Sequence, residues 1–342
     1  MENIRLKTAQ GILTLLGIKG LGPATALKLA GKFETMGQIL NSSADDLKGL
    51  ANEPIRRILT EGGPEVAAAV RRANDEIGRA EEIGATVISA FDDQYPRRLA
   101  SVSDKPLVLY TSGDLSLLEK SVACVGTRNP TEFGSVVSRK VTSALGEFGW
   151  TIVSGLARGV DSICHNAALA CDTPTAAVLG SGIDKYASNA AYELVTRIVE
   201  AGGIVVTEQP MGREADPSTL IRRNRIQTGV SAATVFMQAD LESGTMHSVK
   251  YALLQGRPIY APEVPAAFAD EPLNRAASAL TRMNPVDFGK LINANAALEE
   301  ALSRLGRRTV ATAITGREFY PIMISQLEDM LERPQPGMAM AG

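Results

Sequence analysis

Cysteine is scarce in this chain. Cys124, Cys164 and Cys171 make an odd count with no paired spacing, which argues against a disulfide framework and fits a reduced, cytosolic protein. Aromatic residues are 5% of the total, so base stacking is a minor resource for any nucleic-acid contact. No apolar run approaches the span of a bilayer, and the N-terminus lacks the basic-then-apolar pattern of a secretory signal. The expectation is a cytoplasmic chain with no membrane partner. A basic excess is missing too: 35 Lys and Arg face 38 Asp and Glu, a net charge of −3. A nonspecific polyanion binder is usually basic as a whole, so a polyanion would have to meet a local patch. Arg213, Arg222, Arg223 and Arg225 offer one.

What the chain does have is a repeated unit from Ser121 to Pro262: an apolar strand, a glycine-bearing turn, a helix. Val122 to Val125 runs into Gly126-Thr127-Arg128, and Thr151 to Val153 into Ser154-Gly155-Leu156-Ala157-Arg158-Gly159. Thr175 to Leu179 leads to Gly180-Ser181-Gly182, and Ile204 to Thr207 to Glu208. Thr234 to Met237 and Pro258 to Ala261 complete the set. This alternation predicts an α/β fold, a Rossmann-like, mostly parallel, doubly wound sheet. Ligands of such sheets bind outside the carboxyl ends of the strands, where these turns fall. Glycine lets backbone approach a ligand closely, the next helix offers unpaired N–H groups, and Arg128 adds a planar fork suited to phosphate.

Residues 1–83 read as a small helical domain, residues 84–265 as the Rossmann-like domain, and residues 266–342 as a helical C-terminal region with a disordered tail. Gly17 to Ala26 has the form of a helix-hairpin-helix turn, which either binds a DNA phosphate or only packs two helices. Asn41 to Leu47 looks like a capped helix start. Thr86 to Ile88 and Leu107 to Tyr110 read as strands extending the sheet or forming its lid.

Two candidate constellations carry little. Cys164, His165 and Cys171 cannot share one helical face, and the expectation is no metal. Asp161, Asp184 and Glu208 fall near strand ends and suit acid–base or Mg²⁺ chemistry, or else caps and ion pairs with arginines. No activated nucleophile is visible, and His247 has no obvious acidic partner. The expectation is no cofactor and no catalytic constellation.

In motif order the chain resembles the DNA-processing protein A (DprA, or Smf) family. The matching runs are Gly126-Thr127-Arg128, Ser154 to His165, Gly180 to Ala187, Thr207-Glu208-Gln209-Pro210, Leu220 to Ile226 and Ser243-Gly244-Thr245. Asp93 to Leu99 and Pro106 to Tyr110 extend the likeness upstream. The resemblance implies a non-catalytic single-stranded DNA-binding protein that helps load the RecA recombinase and works as a homodimer. Matched by position, the phosphate-binding residues are Gly126, Thr127, Arg128, Ser154, Gly155, Gly180, Lys185, Arg222, Arg223, Asn224, Arg225, Ser243, Gly244 and Thr245. Arg223 and Arg225 are two apart, so at most one faces the pocket; Arg128 and Arg225 are the expected phosphate ligands. Leu220 and Ile221 stand where the family has Phe-Pro, and Ala187 and Ser188 where proline and, in some members, lysine are usual. No strand hairpin marks the winged helix with which many members end. The rival reading is a nucleotide-binding sensor or nucleotide hydrolase of the related Rossmann superfamily, with defence as one setting for it, although the catalytic glutamate of the phosphoribohydrolase pattern is missing from Glu242 to Ser248.

Overall fold

The computed structural model describes residues 3–332. Five helices precede the sheet: α1 (Ala9–Gly17), α2 (Pro23–Lys32), α3 (Met36–Leu40), α4 (Glu53–Glu61) and α5 (Pro64–Glu82). The Gly17–Ala26 turn does join two helices. Gly20 adopts φ 83°, and Arg72 of α5 donates to the Gly17 carbonyl at 2.7 Å, fixing the hairpin to the long helix. The expected helix start after Asn41 is instead a series of turns, because Asp46 folds back on Ser43 N at 2.9 Å and Gly49 adopts φ 80°. Helix begins only at Glu53, where Asn52 accepts from Ile55 N.

Next come β1 (Thr86–Ser89), the short helix α6 (Arg97–Ala100) and β2 (Val108–Ser112). The repeated units follow: β3 (Ser121–Val125), α7 (Glu132–Glu147), β4 (Thr151–Ser154), α8 (Val160–Ala170), β5 (Thr175–Val178), α9 (Asn189–Glu200), β6 (Ile204–Thr207), α10 (Pro217–Val230), β7 (Ala233–Phe236), α11 (Thr245–Leu254) and β8 (Ile259–Pro262). The chain then forms α12 (Arg275–Arg282), α13 (Pro285–Leu291), α14 (Ala296–Ser303), β9 (Thr312–Ile314) and α15 (Tyr320–Glu332). The disordered tail expected around Pro334 lies outside the described residues.

Among the described residues nine strands form one sheet in the order β1-β2-β6-β5-β4-β3-β7-β8-β9. β3 through β9 pair in parallel, whereas β1 with β2 and β2 with β6 are antiparallel. Thr86 to Ile88 and Leu107 to Tyr110 thus extend the sheet. Every residue of β3 to β8 is buried, as expected of parallel strands covered on both faces. β9, which the pattern had not indicated, pairs Thr312 with Tyr260. It is only three residues long and burial falls mainly on Ile314, so no alternating signal arises.

The apolar core is continuous from the first helices into the sheet. Leu6, Ile12 and Leu29 belong to the same buried cluster as Val108, Tyr110 and Val205. On the far side, Met323, Ile324 and Leu327 of α15 pack with Trp150, Val141 and Leu145.

Candidate functional site

The strand order fixes where a ligand can enter. From β3 the chain proceeds through β4, β5 and β6 on one side, then crosses to β7 on the other. The loops after β3 and β7 therefore leave the sheet in opposite directions and open a crevice at its carboxyl edge.

A cavity of about 410 Å³ occupies that crevice. Its walls are the turn Gly126-Thr127-Arg128, the face of α10 carrying Leu220, Arg223, Asn224 and Gln227, and the head of α11 with Ser243, Gly244 and Thr245. A second cavity, about 440 Å³, lies beside it over the turns after β4 and β5, lined by Gly155, Gly180, Lys185 and Tyr186 among others. Arg128 borders both. Its side chain is exposed, with no hydrogen bond or ion pair among the described residues. Gly159 holds the turn beneath it: φ is 87°, and a Cβ there would lie 2.5 Å from the Arg128 carbonyl carbon.

Arg223 is built into the wall. Its Nη1 donates to the Val178 carbonyl at 2.6 Å and its Nη2 lies 3.7 Å from Asp161 Oδ2. A Cβ at residue 155 would lie 1.6 Å from Arg223 Nη1, so a side chain there must displace the guanidinium. Burial pushes the Arg223 pKa down, Asp161 offsets part of that and the Arg128 charge adds to it. Burial likewise pushes the Asp161 carboxyl up, against Arg223 and the Ala157 N–H, which hold it down. Asp161 thus braces the Gly155–Gly159 loop through Ala157 N at 3.3 Å.

Arg225 is a correction to the expected ligand pair. It is 1% exposed, donates to Glu208 Oε2 and lies 3.5 Å from Asp104 Oδ2, so it lines neither cavity. Helical period explains the reversal. Leu220, Arg223, Asn224 and Gln227 are spaced i, i+3, i+4, i+7 and share the site face, whereas Arg222 and Arg225 lie three apart on the side of Glu208. Arg222 pairs with Glu208 Oε1 at 3.5 Å and borders a cleft toward the first helices, away from the two cavities. Ser154 is fully buried, its hydroxyl donating to the Cys124 carbonyl at 2.7 Å, and presents nothing to a ligand. Lys185 stands at the rim of the second cavity, 3.5 Å from Glu214.

The three carboxylates do not converge. Asp161 faces Arg223, Asp184 Oδ1 accepts from Gly212 N at 2.8 Å, and Glu208 faces Arg225 and Arg222. Among the described residues no group of three or more His, Cys, Asp or Glu could hold a metal ion, and no helix is long and apolar enough to cross a membrane. Gln227 is a site residue that sequence reasoning missed; its spacing from Arg223 and Asn224 was the available signal.

Comparison with known proteins gives the same fold and a family. Smf of Synechocystis is 32% identical over 247 residues, 69% of this chain but only 59% of that protein. The crystal structure of DNA processing protein A from Streptococcus pneumoniae superposes with a TM-score of 0.67 at 23% identity, over 91% of this chain and 96% of that one. DNA processing protein A of Helicobacter pylori, described for its single-stranded DNA binding mode, gives 0.53 at 22% identity, over 71% and 97%. The family model for DNA recombination-mediator protein A matches residues 86–284, the stretch from β1 through α12 that builds both cavities, and the chain belongs to that family.

Proposed function

We propose that the chain binds single-stranded DNA through its phosphates at the carboxyl edge of the sheet, without hydrolysing it. One observation carries this reading: Arg128 stands exposed, without hydrogen bond or ion pair, on the ridge between two adjoining cavities. A guanidinium so placed suits a chain of phosphates passing from one cavity to the next. Gly155 and Gly180 line the second cavity, and Lys185 at its rim adds a second cation. Few aromatic rings line the path, so charge outweighs stacking and sequence is little read. Family membership supports the further parts of the proposal, a homodimer that acts as a recombination mediator and helps load RecA in the cytoplasm. Absence of turnover is proposed because no carboxylate of the site is free to act as base toward a bound water.

Anisotropy titration of a labelled oligo-dT strand tests the reading. Arg128→Ala is expected to cost about 1–3 kcal/mol of binding, the range for a charge-assisted hydrogen bond. Lys19→Ala, at the exposed tip of a hairpin that Arg72 ties to α5, is expected to cost much less. A large loss at Lys19 with none at Arg128 would move the site to the helices. Tight binding of a mononucleotide with none of the strand would favour a nucleotide sensor. Addition of the protein to RecA and single-stranded DNA, with filament assembly followed by light scattering, tests the mediator role.

A further inference from the structure

The cavity at the head of α11 contains polar groups that binding along a strand does not use. Arg223 Nε, Gln227 Nε2 and Ser243 Oγ are buried without a hydrogen-bond partner among the described residues, and all three residues line this one cavity. Arg223 is 5% exposed and Gln227 1%. Two of these atoms are N–H donors and the third is a hydroxyl that can donate, so an acceptor-rich ligand matches them. Buried polar groups left unpaired are costly, and their persistence in one wall points to something bound. Independently, the ten-residue helix α11 starts here with Gly244 at its N-cap and no side-chain cap, and nothing lies within 4 Å of where a Gly244 Cβ would be. The positive end of that helix dipole faces the cavity. Asp161 is the one carboxylate in the lining, and it is turned to Arg223 and Ala157 N.

We propose that this cavity is a phosphomonoester subsite that receives the terminal phosphate of a DNA strand, the rest of which runs over Arg128 into the neighbouring cavity. The inference rests on the single-strand reading and deepens it. A terminal phosphate offers three unesterified oxygens and a second ionisable charge, whereas an internal linkage offers two oxygens and one charge. The donors also lie deep. A chain end, tethered on one side only, reaches further into such a cavity than an internal phosphate tethered on both.

The test compares oligo-dT strands carrying a 5′-phosphate, a 3′-phosphate or neither, with dTMP and inorganic phosphate as further ligands in calorimetry. One of the two phosphorylated strands is expected to bind about tenfold more tightly than the plain strand, a charge-assisted hydrogen bond or more. In Gln227→Met, which keeps the side-chain volume, and in Ser243→Ala, that ratio falls toward one; thermal melting confirms that each variant is folded. If all three strands bind the native protein equally, the subsite is refuted while the single-strand reading stands. If no strand binds but dTMP or phosphate does, with loss in Ser243→Ala, a phosphomonoester site exists there but its assignment to a DNA end is overturned together with the single-strand reading. Binding of none of these ligands refutes both.

Discussion

His165 is fully buried, with Nδ1 2.8 Å from Thr175 Oγ1. The threonine hydroxyl already donates to the Ile152 carbonyl at 2.7 Å, so it accepts from the imidazole and the proton sits on Nδ1. Nε2 is then a bare acceptor with no partner among the described residues. Burial, followed by the charge of Arg223, pushes the pKa from 6.5 to about 3. The folded histidine stays neutral where the unfolded one takes up a proton, so its contribution is full above pH 6.5 and is lost progressively as pH falls toward about 3. Between pH 7.5 and 5.5 the native protein should lose about 1.4 kcal/mol more than His165→Gln, read from urea midpoints. Equal losses would show that the ring is not held neutral. Gly155→Ala is a second residue-scale prediction. It places a methyl group against Arg223 Nη1, and displacing that guanidinium from Val178 should cost about 1–3 kcal/mol of stability in the same assay.

Helix α10 organises the site as an element, because its two faces divide the arginines. It opens with a capping box: Asp216 Oδ1 accepts from Ser218 N at 2.8 Å and Thr219 N at 3.0 Å, while Thr219 Oγ1 accepts from Asp216 N at 3.0 Å. Pro217 occupies the first turn, where no N–H is needed. The Ser218 hydroxyl, then Thr219 N and the other donors including Arg213, hold the Asp216 carboxyl down to about 2. Its folded pKa lies below its unfolded value of 3.8, so the cap stabilises above that value and is lost as pH falls through about 2. Asp216→Ala should therefore melt at a lower temperature than the native protein near neutrality, with the gap closing in acid. A gap that persists at pH of about 2 would mean that the carboxylate charge is not what holds the helix start.

At the scale of the whole molecule, net charge and binding site have opposite tendencies. A chain of net charge −3 repels a polyanion at long range, so DNA binding must depend on the few cations at the carboxyl edge. The logarithm of affinity should fall linearly with that of salt concentration, and Arg128→Ala should make the slope shallower by about 0.7, one phosphate on a single strand. An unchanged slope in that variant would remove Arg128 from the phosphate path.

The sequence by itself determined the sheet. Continuous apolar strands alternating with helices have few ways to be buried other than in a parallel sheet, and the glycine turns after the first three of the repeated strands, at Gly126, Gly155 and Gly180, mark its carboxyl edge. It also determined that Arg223 and Arg225 point apart, because helical period is a local property. Which of them faces the site was left to tertiary structure. Arg225 goes to Glu208 and Asp104, and Arg223 fits against the missing side chain of Gly155; these partners are 17, 121 and 68 positions distant in the chain, and no local pattern encodes such pairings. Ser154 and β9 were illegible for the same reason. A hydroxyl buried on the Cys124 carbonyl and a three-residue strand completed by Tyr260 are decided only when distant segments meet.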